Sequence, residues 1–241
     1  MTEIVITMGG LGSRFRKAGY TLPKYMIEAK GKSLFEWSLL SLSDFFASSQ
    51  FTFIAMKDEN ANAEEFIKSQ CEKIGIKSPR VIIIDYLTDG QATTALLAQK
   101  YWEKSSPLLI YNIDTYVEEG AIKASDFCGD GFIPCFKAIG THWSFVKLDE
   151  NGYATEVREK EKISDNCTIG AYYFSSCALY EKLYREYYSE SKNLTNGEKY
   201  VAPLYNHLIK NGGKVKISLI PTQKVHVLGT PEELEAFVNG N

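Results

Sequence analysis

The first two dozen residues contain three kinds of group that can handle a phosphate. Met8-Gly9-Gly10-Leu11-Gly12-Ser13-Arg14-Phe15 follows directly on the apolar run Ile4-Val5-Ile6, and Lys24 stands ten residues after Arg14 in Leu22-Pro23-Lys24. The apolar run reads as a buried strand that opens the protein. A glycine loop at the end of a strand leaves bare N–H groups that can face an anion with no side chain in the way. Arg14 and Lys24 add two cations at the same mouth. The chemistry implied is the cradling of a nucleoside triphosphate.

Two other phosphate loops are excluded by the residues themselves. The pattern G-x-x-x-x-G-K-[ST] is absent. The dinucleotide pattern G-x-G-x-x-G fails at its third glycine, where Phe15 stands. That glycine permits close helix–strand packing, so a phenylalanine there argues against a dinucleotide fold.

The elements that must carry these groups alternate. Strand-like segments at 4–7, 51–56, 81–85 and 108–113 are separated by helical patterns at 33–42, 63–74 and 91–103, the first opened by the capping box Ser33-Leu34-Phe35-Glu36. Alternation of this kind predicts parallel βαβ units, with helices on both faces of the sheet. The second half predicts strands at 132–136, 144–148, 153–157 and 168–174, with Asp149-Glu150-Asn151-Gly152 as a hairpin turn. Helices follow at 178–190 and 200–210, then a strand at 215–220. Thr230-Pro231-Glu232-Glu233 reads as a capping box with proline at the first helical position, opening a helix to about residue 238. In such sheets ligands bind beyond the carboxyl ends of the strands, where the glycine loop lies.

Composition narrows the partners. The 241 residues are 44% hydrophobic, with no repeat, linker or low-complexity tract, which predicts one compact domain. Net charge is −3, yet the first 33 residues carry six basic and two acidic side chains. A local basic patch on an acidic protein suits a small polyanion and not nucleic acid. The five cysteines show no C-x-x-C spacing and read as reduced, mostly buried thiols, and the three histidines stand far apart. No signal peptide and no apolar run near ~20 residues is visible, so a soluble, cytoplasmic protein with no membrane partner is expected. A homo-oligomer is left open.

At Gly9–Phe15 and Pro23-Lys24 the chain resembles the nucleotidyltransferases that activate sugar 1-phosphates and related phosphometabolites. The family signature G-G-x-G-[ST]-R-[FL] followed by P-K is matched residue for residue. The resemblance continues through Asp89-Gly90-Gln91-Ala92, Tyr111-Asn112-Ile113-Asp114, Glu159-Lys160, Gly170–Phe174 and Gly229-Thr230-Pro231-Glu232. It implies an α/β fold: a Rossmann-like, mixed, mostly parallel central sheet flanked by helices, with an inserted antiparallel β lobe for the acceptor. Residues 1–125 or so would form the nucleotide half, and residues 126–230 or so the acceptor half.

The resemblance also implies roles. Met8, Gly9, Gly10, Gly12, Ser13 and Arg14, with Gly90, Gln91 and Asn112, would bind the nucleotide. Arg14 would grip the pyrophosphate leaving group, and Lys24 would stabilise charge at the α-phosphorus. Gln91 would bond a pyrimidine base, Asp114 would hold Mg²⁺, and Glu159, Lys160 and Gly170 would hold the acceptor. These roles make chemical sense: the attacking phosphate oxygen is already an anion, so the difficulty is neutralising and aligning two polyanions. Each residue also has a plainer reading. Asp114 could end a strand, Gln91 could open a helix, Glu159-Lys160-Glu161-Lys162 could be a solvated charge run, and Tyr172-Tyr173-Phe174 reads as sheet packing. Glu159 and Lys160 point to opposite faces of an extended strand and reach one site only if the chain bends there.

One position departs from the pattern. Many members carry a second metal-binding carboxylate two residues before the late Gly-Thr pair, and here Val227 stands in that place. His226 is no substitute, since imidazole is a poor partner for Mg²⁺.

The stretch Glu198–Asn206 and the compact length resemble a short branch associated with bacterial capsule and surface-polysaccharide synthesis. That likeness implies CTP as donor and phosphoglutamine as acceptor, with a sugar 1-phosphate cytidylyl-, uridylyl- or thymidylyltransferase as the alternative. Two further classes compete. A glycosyltransferase would need an Asp-x-Asp motif, and Asn112-Ile113-Asp114 lacks the first Asp. A non-catalytic nucleotide sensor is disfavoured by Arg14, Lys24 and Asp114 and favoured by Val227.

Overall fold

The computed structural model describes residues 1–240. The first half runs β1 (Thr2–Met8), α1 (Ser13–Lys17), a small hairpin of β2 (Glu28–Ala29) and β3 (Lys32–Ser33), α2 (Leu34–Leu40), β4 (Ser49–Met56), α3 (Ala63–Ile74), β5 (Arg80–Ile84), α4 (Gln91–Leu96), β6 (Leu108–Asn112) and β7 (Thr115–Val117). The second half runs β8 (Gly131–Lys137), β9 (Ser144–Leu148), β10 (Ala154–Glu159), β11 (Asn166–Thr168), β12 (Ala171–Phe174), α5 (Cys177–Tyr187), α6 (Leu204–Lys210), β13 (Val215–Leu219), β14 (Val225–Val227) and α7 (Pro231–Asn239).

On β1, Ile4, Ile6 and Met8 alternate with Val5, and all four are buried. A strand apolar on both faces belongs inside a parallel sheet covered on both sides. β4 and β6 accordingly flank it in parallel, and β5 lies parallel beyond β4. Ile4, Ile6 and Met8 join Phe35, Leu39 and Ile67 of α2 and α3 in one core. Val5 joins Ala92, Ala95, Tyr180 and Leu204 of α4, α5 and α6 in a second core on the opposite face.

The antiparallel half continues the same sheet. β12 pairs antiparallel with β6, and the strand order is β10-β9-β11-β8-β12-β6-β1-β4-β5, with β13 beside β8. The expected mixed sheet is therefore one surface that changes direction at the β6–β12 seam. A separate antiparallel pair, β7 with β14, brings Val227 opposite Thr115.

Local chemistry explains most boundaries. Ser33 and Glu36 form the complete capping box of α2, each main-chain N–H reaching the other's side chain at 3.1 Å. Asn62 caps α3, and Gly75, at φ +88°, ends it. The turn at residues 149–152 is drawn in by Asp149 Oδ1, which accepts from the N–H groups of Asn151 at 2.9 Å and Tyr153 at 2.8 Å.

Three expected elements differ. The helix expected from Tyr200 begins at Leu204, because Pro203 has no N–H to donate, and Lys199 O, the carbonyl four residues before it, accepts from Ala92 N instead. The helix expected over 91–103 ends as α-helix at Leu96 and tightens to a 3-10 turn over Leu97–Tyr101, which carries Ala98 and Trp102 into the core. The strand expected over 168–174 is broken at Gly170, which has φ +80° and whose carbonyl accepts from Asn112 N at 3.2 Å. Of the cysteines, Cys71, Cys135, Cys167 and Cys177 are buried, Cys128 is exposed, and all five are free. Among the described residues no helix is long and apolar enough to cross a membrane.

Gly170→Ala should destabilise the fold by at least about 2 kcal/mol, since a side chain there is strained by the positive φ and drives into Asn112. Urea denaturation measures this; a loss under half a kilocalorie, on the order of a surface substitution, would show that the break is not a fixed feature.

Candidate active site

The strands of the parallel half all end at the same edge of the sheet, and the loops leaving β1, β5 and β6 meet there. A cavity of about 620 Å³ opens at this edge and extends over the seam toward β10. Met8, Gly9, Gly10, Gly12 and Ser13 form one wall, and Arg14 lines it from the exposed start of α1. Phe15, the residue that breaks the dinucleotide pattern, is 1% exposed and packs with Leu34, Leu228, Leu234 and Phe237 in a third small core. The loop is therefore pinned to α7 through its own phenylalanine.

Asp114 sits just past the end of β6. Its Oδ2 accepts from Lys24 Nζ at 2.7 Å, and its carbonyl accepts from Leu228 N at 2.8 Å. Asn112 and Gly170 lie beside it on the cavity wall, and Asn112 Oδ1 is buried with no hydrogen-bond partner.

Gln91 begins α4, as its plain reading held, and it also lines the cavity, where its Nε2 donates to Thr7 Oγ1 at 3.2 Å. Gly90 before it is fixed by a main-chain clamp: Lys199 N donates to Asp89 O at 2.7 Å, and Ala92 N donates to Lys199 O at 3.0 Å. Any side chain on Gly90 would strike that backbone, so glycine is required here. Lys199 Nζ also pairs with Asp89 at 2.7 Å, which holds Glu198 and Tyr200 against the cavity.

At the far end, Glu159 closes β10 and lines the cavity. Its carboxylate accepts from Ser144 Oγ, and the Tyr172 hydroxyl lies 3.1 Å from that serine and 3.0 Å from Thr168 Oγ1. Burial raises the Glu159 carboxyl above its ordinary 4.5, and the nearby Glu198 charge adds to this against the pull of Ser144 and Lys160. The chain does bend after Glu159: Lys160 has φ +58°. Lys160 does not line the cavity, however, and its amine lies on the hydroxyl and ring of Tyr200, which does.

Sequence reasoning missed several cavity residues. Trp143, Ser144 and Thr168 carry no local motif, Glu198 and Tyr200 stand out only within the stretch Glu198–Asn206 with no role attached, and all five converge through the fold. Tyr172, read as sheet packing, is buried in the core and still presents its hydroxyl to the polar wall. Glu233 was read as half of a capping box. Thr230 Oγ1 does accept from Glu233 N at 3.2 Å, but the glutamate returns its carboxylate to Gly229 N at 3.0 Å and not to Thr230 N. A methyl placed on Gly229 would lie 3.4 Å from Glu233 Oε2 and 3.5 Å from Asp114 Oδ2, so the two carboxylates flank this glycine at the cavity edge. The only sequence signal was the i, i+4 spacing of Gly229 and Glu233.

A nucleoside-diphosphate-sugar pyrophosphorylase from Vibrio cholerae RC9 is 36% identical to the chain, covering 98% of it and 99% of the pyrophosphorylase, with a TM-score of 0.90. The chain belongs to this nucleotidyltransferase family. Two more distant structures share the fold. The inositol-1-phosphate CTP transferase from T. maritima has TM-score 0.75 at 15% identity, over 100% of this chain and 94% of that one. HddC from Yersinia pseudotuberculosis has TM-score 0.65 at 21% identity, over 100% and 99%. No protein-family profile and no curated protein sequence matches.

As a nucleotidyltransferase the chain is an enzyme whose cavity has one cationic end, at Arg14 and Lys24, and one end lined by hydroxyls and carboxylates. The raised Glu159 carboxyl gives this a thermodynamic signature. Folding favours its protonated form, so its contribution to stability is full below 4.5 and is lost as pH rises through the folded value. Glu159→Gln should therefore gain on the wild type in urea midpoint as pH goes from about 4 to about 7. A difference between the two proteins that stays flat across that range would remove the buried-carboxylate account.

Proposed function

We propose that the cavity transfers a cytidylyl group from CTP to the phosphate of phosphoglutamine and releases pyrophosphate, a step in capsule or surface-polysaccharide synthesis. The observation that carries this is the polarity of the cavity. A phosphate-binding end faces an end where two carboxylates, Glu159 and Glu198, meet no ion-pair partner among the described residues. An acceptor with a phosphate at one end and an ammonium at the other matches both. A sugar 1-phosphate is the second reading, supported by the hydroxyl wall of Ser144, Thr168 and Tyr172.

In this reading the N–H groups of Gly9–Ser13 and the Arg14 guanidinium hold the β- and γ-phosphates, and Gln91, steadied by Thr7, meets the pyrimidine edge. An oxygen of the acceptor phosphate attacks the α-phosphorus. The bond from that phosphorus to the bridging oxygen breaks, and pyrophosphate leaves with the electron pair. The attacker needs no base, because it is already ionised. Lys24 neutralises the charge that builds at the α-phosphorus, a role that preorganised cations fill at little reorganisation cost.

The residues present also fit a divalent cation. Asp114 and Glu233 are hard oxygen donors, and the partnerless Asn112 Oδ1 is an orphan that a hydrated ion can satisfy. Among the described residues no group of three or more His, Cys, Asp or Glu side chains could hold a metal, so phosphate oxygens and water would complete the shell. Asp114 would be the anchor and Glu233 would stand in for the carboxylate missing at Val227; the Mg²⁺ ion, when bound, supplies charge neutralisation of the phosphates.

Pyrophosphate release, measured for each of CTP, UTP, dTTP, ATP and GTP against a panel of phosphorylated acceptors with Mg²⁺, should be fastest for CTP with phosphoglutamine. A preference for a sugar 1-phosphate would move the assignment to the second reading, and no release with any pair would sink both. Lys24→Ala should cut kcat/KM by at least about 100-fold, as loss of one transition-state donor does, while the variant still unfolds cooperatively. Activity within a few-fold of wild type would remove Lys24 from its proposed role.

A further inference from the structure

Leu87, Thr88, Gly90 and Gln91 line the cavity beside the glycine loop, and Glu198 and Tyr200 line it beyond the seam. Asp89 and Lys199, which interrupt these two runs, do not line it. They meet each other instead. Lys199 Nζ lies 2.7 Å from Asp89 Oδ2 and 3.4 Å from the Tyr184 hydroxyl, and Thr93 Oγ1 donates to Asp89 Oδ1. Burial acts against the Asp89 charge, yet the hydrogen bonds from Lys199 and Thr93 hold its carboxyl below the ordinary 3.8, and the bond to Asp89 raises the Lys199 amine. Residues 188–203, which join α5 to α6, contain no helix or strand beyond a 3-10 turn at Ser191–Asn193 and a bridge of Thr195 with Glu198. A segment of that kind takes its position from its anchors. For residues 198–200 these are the Asp89–Lys199 pair, the main-chain clamp around Gly90, the Tyr188 hydroxyl on Tyr200 O and the Lys160 amine on the Tyr200 hydroxyl.

We propose that Asp89 and Lys199 are positioning residues, whose ion pair ties Glu198 and Tyr200 to the turn that carries Gln91, so that a nucleotide bound at Gln91 also steadies the wall that meets the acceptor. Which ligand each end takes rests on the reading under Proposed function; the tie between the ends rests on the contacts alone. Lys199 bonds the main chain on both sides of Gly90, through Asp89 O and Ala92 N, so the turn and the segment cannot shift independently. A ligand that orders one of two joined segments lowers the cost of ordering the other. The pair itself is 23% and 46% exposed, so its contribution to overall stability is small and its effect is on position.

Hydrogen–deuterium exchange, followed by mass spectrometry with and without CTP and Mg²⁺, tests the tie with no acceptor present. In the wild type CTP should slow exchange at residues 88–92 and also at residues 195–201. In Lys199→Met the slowing at 88–92 should persist and that at 195–201 should be lost, and Lys199→Arg, which keeps the charge, should restore it. Asp89→Asn should behave as Lys199→Met does, and the double variant should be no worse than either, because both remove one interaction. In turnover with CTP and phosphoglutamine, or glucose 1-phosphate where that is the acceptor used, Lys199→Met should raise the acceptor KM about five-fold, the upper reach of a partly exposed ion pair, with kcat nearly unchanged. CTP that protects 88–92 while leaving 195–201 untouched in the wild type overturns the tie alone. CTP that protects neither removes the nucleotide reading of the Gln91 end and the proposal with it. Equal protection of 195–201 in wild type and Lys199→Met, or a collapse of the urea midpoint in that variant, also overturns the proposal, the second by making the pair a structural prop.

Discussion

The Lys24–Asp114 pair, 2.7 Å apart, is the contact on which the arrangement of this cavity turns. Lys24 belongs to the segment after the glycine loop, Asp114 follows the central strand β6, and the Asp114 carbonyl takes Leu228 N from the chain's last quarter. Three distant parts of the sequence therefore meet at one carboxylate. Both side chains keep some contact with water, 18% and 32% exposed, so the pair contributes modestly to stability. Its value is positional. Each charge is neutralised and oriented by the other, and the cost of gathering charge is met when the chain folds.

That pair also marks where the two halves of the sheet divide their work. The parallel strands β5, β4, β1 and β6 end at one edge, which exposes main-chain N–H groups and gathers cations. Beyond the seam, β12 runs the other way, and Gly170 at the turn lets its backbone bond Asn112 while leaving no side chain between the two ends. The reversal turns Glu159, Ser144, Thr168 and Tyr172 toward the same cavity. A continuous mixed sheet thus produces a cleft whose two ends differ in charge. Both ends stand on buried strands, so their separation is held by sheet hydrogen bonds and not by a hinge.

The glycine-loop end of this cavity was legible in the sequence because its determinants are local. A strand, a glycine loop and two cations occupy one short stretch, and Asp114 and Gln91 sit at element ends that periodicity reveals. The end beyond the seam was legible only at Glu159 and Gly170. Glu198 and Tyr200 reach the cavity through a clamp between Lys199 and Asp89–Ala92, a contact across more than a hundred residues of chain. Tyr172 was hidden for another reason: its ring packs in the core while its hydroxyl serves the wall, and apolar patterning registers only the first. The elements that were misjudged failed at single residues. Pro203 delays α6, and Gly170 divides a strand whose apolar character is otherwise unbroken.

Glu233 brings a carboxylate close to Asp114 from a helix and not from a strand. β14 carries Val227 where a metal-binding acid would be expected, opposite Thr115. The helix that follows starts at once, with Thr230 as cap and Pro231 in its first turn, so its first turn stays close to the strand end. Leu234 and Phe237 of α7 pack with Phe15 of the glycine loop in one small core. The loop proposed to hold the phosphates and the helix proposed to supply the acid are therefore parts of one packed unit. A carboxylate carried on that unit stays in step with the loop, whereas one on β14 would be tied to the edge of β7. Glu233 therefore sits close to Asp114 while its helix is anchored to the core that also holds Phe15 of the glycine loop.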